Sequence, residues 1–309
     1  MEKISDENLV TLRDVGKASS EAMLHAATLV KPGARLLEVA ESAEKFLKDR
    51  GFGLAFPINL SVNQEAAHYT PSMDDERVFG NDDLVKVDFG AEKGGMLGDG
   101  AITIDLSGRR RGMVDAAEKA LDAALAAVRH GVSVCDIGRA IDGSIKGSDL
   151  VPVKNLGGHG IKEHDLHAEL FIPNYDNGDF TTLEEGMVVA IEPFVTTGRG
   201  LVTDGSTCEI YSYVDDANVR TQESRALLQY ISENHSKEPF AVRWLQGVVG
   251  SKFRLYAAVS ELVRAGAIEG NPTLVEVSGA QVAQAEAQVL VTKEACEVLT
   301  RARRQEQQT

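Results

Sequence analysis

Residues 83–106 read DLVKVDFGAEKGGMLGDGAITIDL, and the fold is read outward from this stretch. Val85, Val87 and Phe89 alternate with Lys86 and Asp88, the period of a half-buried strand. From Gly98 to Leu106, Ile102 and Ile104 alternate in the same way with Asp99, Ala101 and Thr103. Between them, residues 91–97 hold Lys93-Gly94-Gly95, which suits a hairpin turn. Such a hairpin would bring Asp88 and Asp99 to one side of the sheet. Aspartate is disfavoured inside strands, and two facing carboxylates repel unless a cation lies between them. Taken alone, the pair reads equally well as turn or edge aspartates.

The flanks supply the rest of the architecture. Leu9, Leu12, Val15, Ala22, Met23, Ala26 and Leu29 predict a helix over 6–30, stopped by Pro32-Gly33. A second helix is predicted over 36–50 and a strand over Phe56–Val62. Beyond the opening stretch, Met113 to Val128 form a continuous stripe of a helix over 113–129, with Gly131 as its cap. A shorter helix follows from Asp136, and 186–192 and 282–292 read as strands. Helices and strands mix without strict βαβ alternation, so the class is α+β. No short-period repeat shows. The segment 216–276 differs, with helices predicted at 219–234, 239–248 and 251–266 and a strand at 273–277. That reads as a three-helix unit with a small wing. Such units often bind DNA, but this one is not basic, and a surface insertion is the plainer reading.

Composition narrows the function. The 309 residues are 43% apolar and 26% charged, which argues against disorder and allows one large domain or two ordinary ones. A net charge of −15 repels phosphate backbones and argues against nucleic-acid binding. Cys135, Cys208 and Cys296 are scattered and form no CxxC pair, so a disulfide framework or thiolate zinc site is not expected, and a reducing cytoplasm fits. The chain opens Met-Glu-Lys-Ile-Ser-Asp-Glu, charged at once, so no signal peptide is expected. No apolar run is long enough for a membrane helix.

Further groups stand out by context. His159 lies in Gly157-Gly158-His159-Gly160, where the backbone can approach a ligand closely, and His167 follows. Neutral imidazole ligates Zn, Fe, Co or Mn and carries protons. His25, His130, His164 and His235 read as ordinary surface or packing residues. Glu192 ends the apolar run Val188–Ile191 before Pro193, so it must be buried uncharged or paired. Glu286 shares a strand face with Gln284 and Gln288, which alone reads as a solvated face. Two Asp, one His and two Glu together suit a pair of divalent first-row ions.

The order of these residues resembles that of the methionine aminopeptidases, which have the pita-bread fold. The matching runs are Phe56–Asn63, Ala66-Ala67-His68-Tyr69-Thr70-Pro71, Val87–Gly90, Asp99-Gly100-Ala101, Gly158-His159, Leu166-His167-Ala168, Ile172-Pro173-Asn174 and Ile191–Phe194, closed by Glu286. The resemblance runs from about residue 5 to 295. The long gap between Glu192 and Glu286 is similar to that of the type 2 enzymes, whose helical insertion 216–276 resembles. With no long extension before the catalytic region, the archaeal form is implied. The implied organisation is a catalytic domain of 1–215 and 277–309 carrying the insertion.

The resemblance also implies roles. Asp88 would bind one ion, Asp99 and Glu286 would bridge both, and His159 and Glu192 would complete the other. The two divalent ions would be Co, Mn, Fe or Zn. The implied reaction is attack by a hydroxide shared between them, with Glu192 as general base. His68 would assist the leaving amine, and His167 would bind the substrate carbonyl. The implied substrate is the N-terminal Met of nascent polypeptides with a small second residue, processed in the cytoplasm by a monomer, with ribosome contact left open. The alternatives are an X-Pro peptidase, or a non-catalytic relative acting in RNA or ribosome binding. The family usually has an aromatic residue before the last glutamate and His-Thr after it. Here Ala285, Ala287 and Gln288 take those places, with Gln288 on the metal-facing side, and Gly157 replaces a small polar residue.

Overall fold

The computed structural model describes residues 6–303; the opening residues, where no leader is expected, and the closing ones lie outside the described residues. The apolar spacing of the first fifty residues produces α1 (Asp6–Leu29) and α2 (Leu36–Lys48). Gly33, at φ +83°, makes the turn between them. Leu12, Val15, Met23, Leu36, Ala40 and Leu47 are all buried against the strands Asn59–Val62, Leu84–Asp88 and Ala101–Asp105. These three strands form one antiparallel sheet with Leu84–Asp88 at its centre. The central strand is packed by α1 and by the strand Val282–Gln284, and Val85, Val87 and even Lys86 are fully buried.

A second half is built on the same plan. Helices α3 (Arg111–Ala127) and α4 (Val134–Ile145) pack their buried Ala117, Leu121, Ile137 and Ile141 onto the strands Val188–Ile191 and Ala287–Val291. Ser133 caps α4, its hydroxyl accepting from the Asp136 N–H. Gly131 does not cap α3 as expected; Val128 does, and Gly131 at φ +80° instead donates its N–H to Leu183. A five-stranded sheet holds Asp165–Pro173, Gly157–Lys162, Val188–Ile191, Ala287–Val291 and Cys296–Val298 in that order.

The segment expected to be three helices and a wing is built differently. Two helices form, α5 (Gln222–Asn234) and α6 (Lys252–Ala265), each capped by a hydroxyl, Thr221 and Ser251. The expected helix 239–248 is instead a short strand, Phe240–Ala241, and a 3-10 turn, Val242–Leu245. Phe240–Ala241 pairs with Ile210–Tyr213, which also pairs with Ile268–Asn271. The expected wing strand, Leu274–Glu276, pairs away from this unit, with Val202–Asp204 and Glu65–Ala67. Leu227, Ile231, Phe240, Leu255 and Leu262 form a separate core for the unit. Among the described residues, no helix is long and apolar enough to cross a membrane.

Candidate metal centre

The opening stretch forms a strand pair, but with Asp99 outside it. Asp88 ends its strand opposite Ala101, and Asp99 lies in the loop just before the strand Ala101–Asp105. Residues 91–97 are not a simple turn. Ala91–Lys93 and Met96–Leu97 form a small hairpin around Gly94 and Gly95, both at positive φ. The two aspartates therefore converge because loop and strand end meet, not because they share a ladder.

Glu192 and Glu286 arise from matching breaks in two paired runs. Ile191 pairs with Ala287 in the five-stranded sheet, and Phe194 pairs with Gln284 in a three-stranded sheet. Between these pairings, Glu192-Pro193 and Ala285-Glu286 are outside any strand. Pro193 has no N–H for a ladder, and the Glu286 N–H donates to Ala101 instead, at 3.0 Å. The continuous strand expected over 282–292 is thus two strands, and Glu286 faces inward rather than onto a solvated face. Gln284, which the sequence reading left out of the site, donates through Nε2 to Glu192 Oε1 at 2.9 Å and Asp88 Oδ2 at 3.2 Å. Its place beside Glu286 in the alternating run was the available signal.

His159 enters from the strand Gly157–Lys162, opposite Ala190. The glycines before it are required for close approach: a Cβ at Gly158 would lie 2.1 Å from the Ala190 carbonyl oxygen, and one at Gly157 would lie 2.3 Å from that of Ile172. His159 Nδ1 faces the Gly160 carbonyl at 3.3 Å, and Nε2 lies 3.4 Å from Asp99 Oδ2. A hydrogen on Nδ1 satisfies the first contact and leaves the Nε2 lone pair toward the carboxylates. Asp99, His159 and Glu286 can each place one ligand atom within 4.8 Å of the others, and so can Asp88, Glu192 and Glu286. The structure thus groups Glu192 with Asp88, with Glu286 common to both sets.

These carboxylates are unstable as neighbours without a counter-charge. Burial, then mutual repulsion, holds Asp88, Glu192 and Glu286 well above the usual carboxylate range. Among the described residues, the groups acting on them are one another, Asp99 and the Gln284 amide, with no lysine or arginine. Asp88 Oδ1 and Glu286 Oε2 are buried with no hydrogen-bond partner, a costly state for a carboxylate oxygen. Divalent cations would remove both costs, and an oxygen-rich set with one imidazole fits first-row ions. The residues present therefore fit a metal centre.

A cavity of about 260 Å³ opens on this cluster. His68 and His167 line it beside the carboxylates. His68 follows the strand Glu65–Ala67 at φ +63°, a conformation that L-residues hold only under constraint. Its Nδ1 is buried without a partner, and burial holds its pKa below the ordinary value. The His167 ring stands 4.4 Å from that of His159, and its protein surroundings keep it neutral, with the two neighbouring imidazoles adding to the effect. Ser212, Pro239 and Asn271 also line it, so the helical unit and the strands beside it contribute to the cavity. Of the histidines read as ordinary, His25 lies on α1 and bonds Ser42, and His235 caps α5. His130 lies in the turn after α3 rather than on it, and His164 bonds Glu238. None of these four lines the cavity. The three cysteines are unpaired.

The chain is 42% identical to a methionine aminopeptidase of Archaeoglobus fulgidus over 93% of its own length and 97% of the relative's. It is 35% identical to one of Saccharolobus solfataricus over 96% and 99%. Among solved structures, a thermophilic Arx1 aligns with TM-score 0.87 at 16% identity, covering 98% of this chain and 93% of that one. A methionine aminopeptidase of Thermotoga maritima aligns with TM-score 0.72 at 22% identity, covering 97% and 99%. The structural likenesses bear out the expected α+β pita-bread fold. Residues 11–293 match metallopeptidase family M24, and with relatives this similar along nearly their whole length, the chain belongs to that family.

Proposed function

We propose that the chain is a two-metal methionine aminopeptidase of the archaeal type 2 form. It would remove the N-terminal Met of nascent polypeptides whose second residue is small. The observation that carries this reading is the meeting of Asp88, Asp99, His159, Glu192 and Glu286 at one cavity, with two buried carboxylate oxygens lacking partners. The name shared by relatives at 35% and 42% identity supports the substrate.

Ions held there supply Lewis acidity that activates water and polarises the scissile carbonyl. The chain's own residues do the rest. Glu286, common to both ligand groups, would help hold the ions together with Asp88, Glu192, His159 and the Asp99 beside it. Glu192 takes the proton from water, and the Gln284 amide holds its carboxylate in place at 2.9 Å. His167, kept neutral by its surroundings, donates to the substrate carbonyl oxygen, and His68 serves the departing amine.

We also infer that 216–276 is an insertion into a catalytic unit formed by 1–215 and 277–309, supported by its separate core. Three unpaired cysteines support a cytoplasmic location. The test is cleavage of Met-Ala-Ser, Met-Glu-Ser and Ala-Pro-Ser by the full chain with added Mn or Co. Release of Met from the first alone is expected. Cleavage of the Ala-Pro bond instead would point to an X-Pro peptidase, and no cleavage of any peptide would contradict enzymatic function.

A further inference from the structure

Gln288 stands where the chain departs from the family pattern after the last glutamate, and it is fully buried. Its side chain does not reach the carboxylates. Nε2 donates to the Leu97 carbonyl at 2.8 Å, and Oε1 accepts from the Asp99 N–H at 3.3 Å. The Gln288 N–H donates to Thr300 Oγ1 at 2.7 Å, and the Thr300 hydroxyl in turn donates to the Asp99 carbonyl. The Leu299 and Thr300 N–H groups return to the Gln288 carbonyl at 2.8 and 3.2 Å. Thr300 is also fully buried.

Asp99 needs such support. It lies between the strands Met96–Leu97 and Ala101–Asp105, so no ladder fixes its own peptide groups. Instead Gln288 holds its N–H and Thr300 holds its carbonyl. Gly100 keeps the approach open: a Cβ there would lie 3.1 Å from Thr300 Oγ1 and 2.8 Å from Met23 Cε.

We propose that Gln288 and Thr300 are positioning residues for Asp99, clamping both ends of the residue whose carboxylate enters the metal centre. The segment Leu299–Thr300 thereby becomes part of the centre's support, although it touches no ligand side chain. This rests on the metal-centre reading above.

The test uses the full chain stripped of metal with chelator, as wild type, Thr300→Val, Thr300→Ser and Gln288→Met. Mn²⁺ affinity is measured by calorimetry and the Co²⁺ visible spectrum is recorded, both well below each variant's melting temperature. Loss of a supporting hydrogen bond typically weakens metal binding about 10- to 100-fold. Thr300→Val and Gln288→Met should show that loss and a changed spectrum, while Thr300→Ser, which keeps the hydroxyl, should stay near wild type. A merely structural role lowers melting temperature and leaves affinity and spectrum unchanged; that result overturns the proposal. If Gln288→Met does not fold, the near-isosteric Val and hydroxyl-keeping Ser variants at 300 decide it. Wild type that binds no ion overturns the metal-centre reading and this proposal with it; equal binding by wild type and all variants overturns this proposal alone.

Discussion

Replacing Arg243 by Met tests how the helical unit is locked to the catalytic body. Arg243 lies in the 3-10 turn Val242–Leu245, and its side chain and that of Glu44 on α2 are each 4% exposed. Its Nη2 donates to Glu44, and its Nη1 donates to Thr70 Oγ1 at 2.6 Å and to the Pro71 carbonyl at 3.0 Å. The Trp244 indole N–H completes the Glu44 carboxylate at 2.8 Å. Removing the guanidinium leaves Glu44 buried with that single donor. Breaking a buried pair from one side costs about 3–5 kcal/mol. With an unfolding entropy of about 2.1 cal/mol/K per residue, a chain of 309 residues shifts by roughly 1.5 °C per kcal/mol, so the midpoint should fall by roughly 5–8 °C. The double variant Arg243→Met/Glu44→Leu removes both charges, and apolar packing should restore most of the loss. Thermal and urea unfolding of wild type, both single variants and the double variant give the coupling directly. A single variant melting within about 2 °C of wild type, or a double variant no better than Arg243→Met, would refute the argument. Because Thr70 and Pro71 follow His68 closely, loosening of this lock should also reach the cavity.

His68→Ala should keep its metal and lose about 10²- to 10⁴-fold in kcat; loss of metal along with rate would show that the role given to His68 is wrong. Asp99→Asn should lose most activity and bind ions more weakly, read by metal analysis after dialysis, and unchanged content with unchanged turnover would remove Asp99 from the ligand set. The metal-free chain should respond to pH through its raised carboxyls. Glu286 binds its proton more tightly when folded than unfolded, so its contribution is lost as pH rises from the unfolded value of about 4.3 toward the folded one. Buried His68, His167 and His235 act oppositely below about pH 6.5, so the measurement is a difference. Chelated wild type should lose stability relative to Glu286→Gln as pH rises above about 4.3, and a gain would contradict the assignment.

The parts legible in the sequence are those where local periodicity and tertiary burial agree. The stripes of α1 to α4 and the alternation around Val85 and Val87 gave elements close to those observed. The segment 239–248 is predicted as a helix and is not one. Pairing of Phe240–Ala241 with Ile210 and Tyr211 overrides that expectation, a long-range contact that no local window contains. The break at Glu286 was illegible for the same reason: it answers the break at Pro193 in a partner strand remote in sequence. The order Asp88, Asp99, His159, Glu192, Glu286 suggested the centre, but the resemblance supplied the ligand roles. Arg243 carries no motif and is recognised only by what it touches, whereas Gln284 shares the alternating run of Glu286 but shows its role only through its bonds to Glu192 and Asp88.

The most direct test of the central claim is metal titration of activity. The chain is stripped with chelator, freed of the chelator, and assayed for Met release from Met-Ala-Ser as Mn²⁺ or Co²⁺ is added. The account predicts no release from the stripped chain, recovery as ions are added, and a plateau set by the bound-ion stoichiometry, with Asp88→Asn and Glu286→Gln failing to recover. Full release by the metal-free chain, or none at any ion loading, would contradict it.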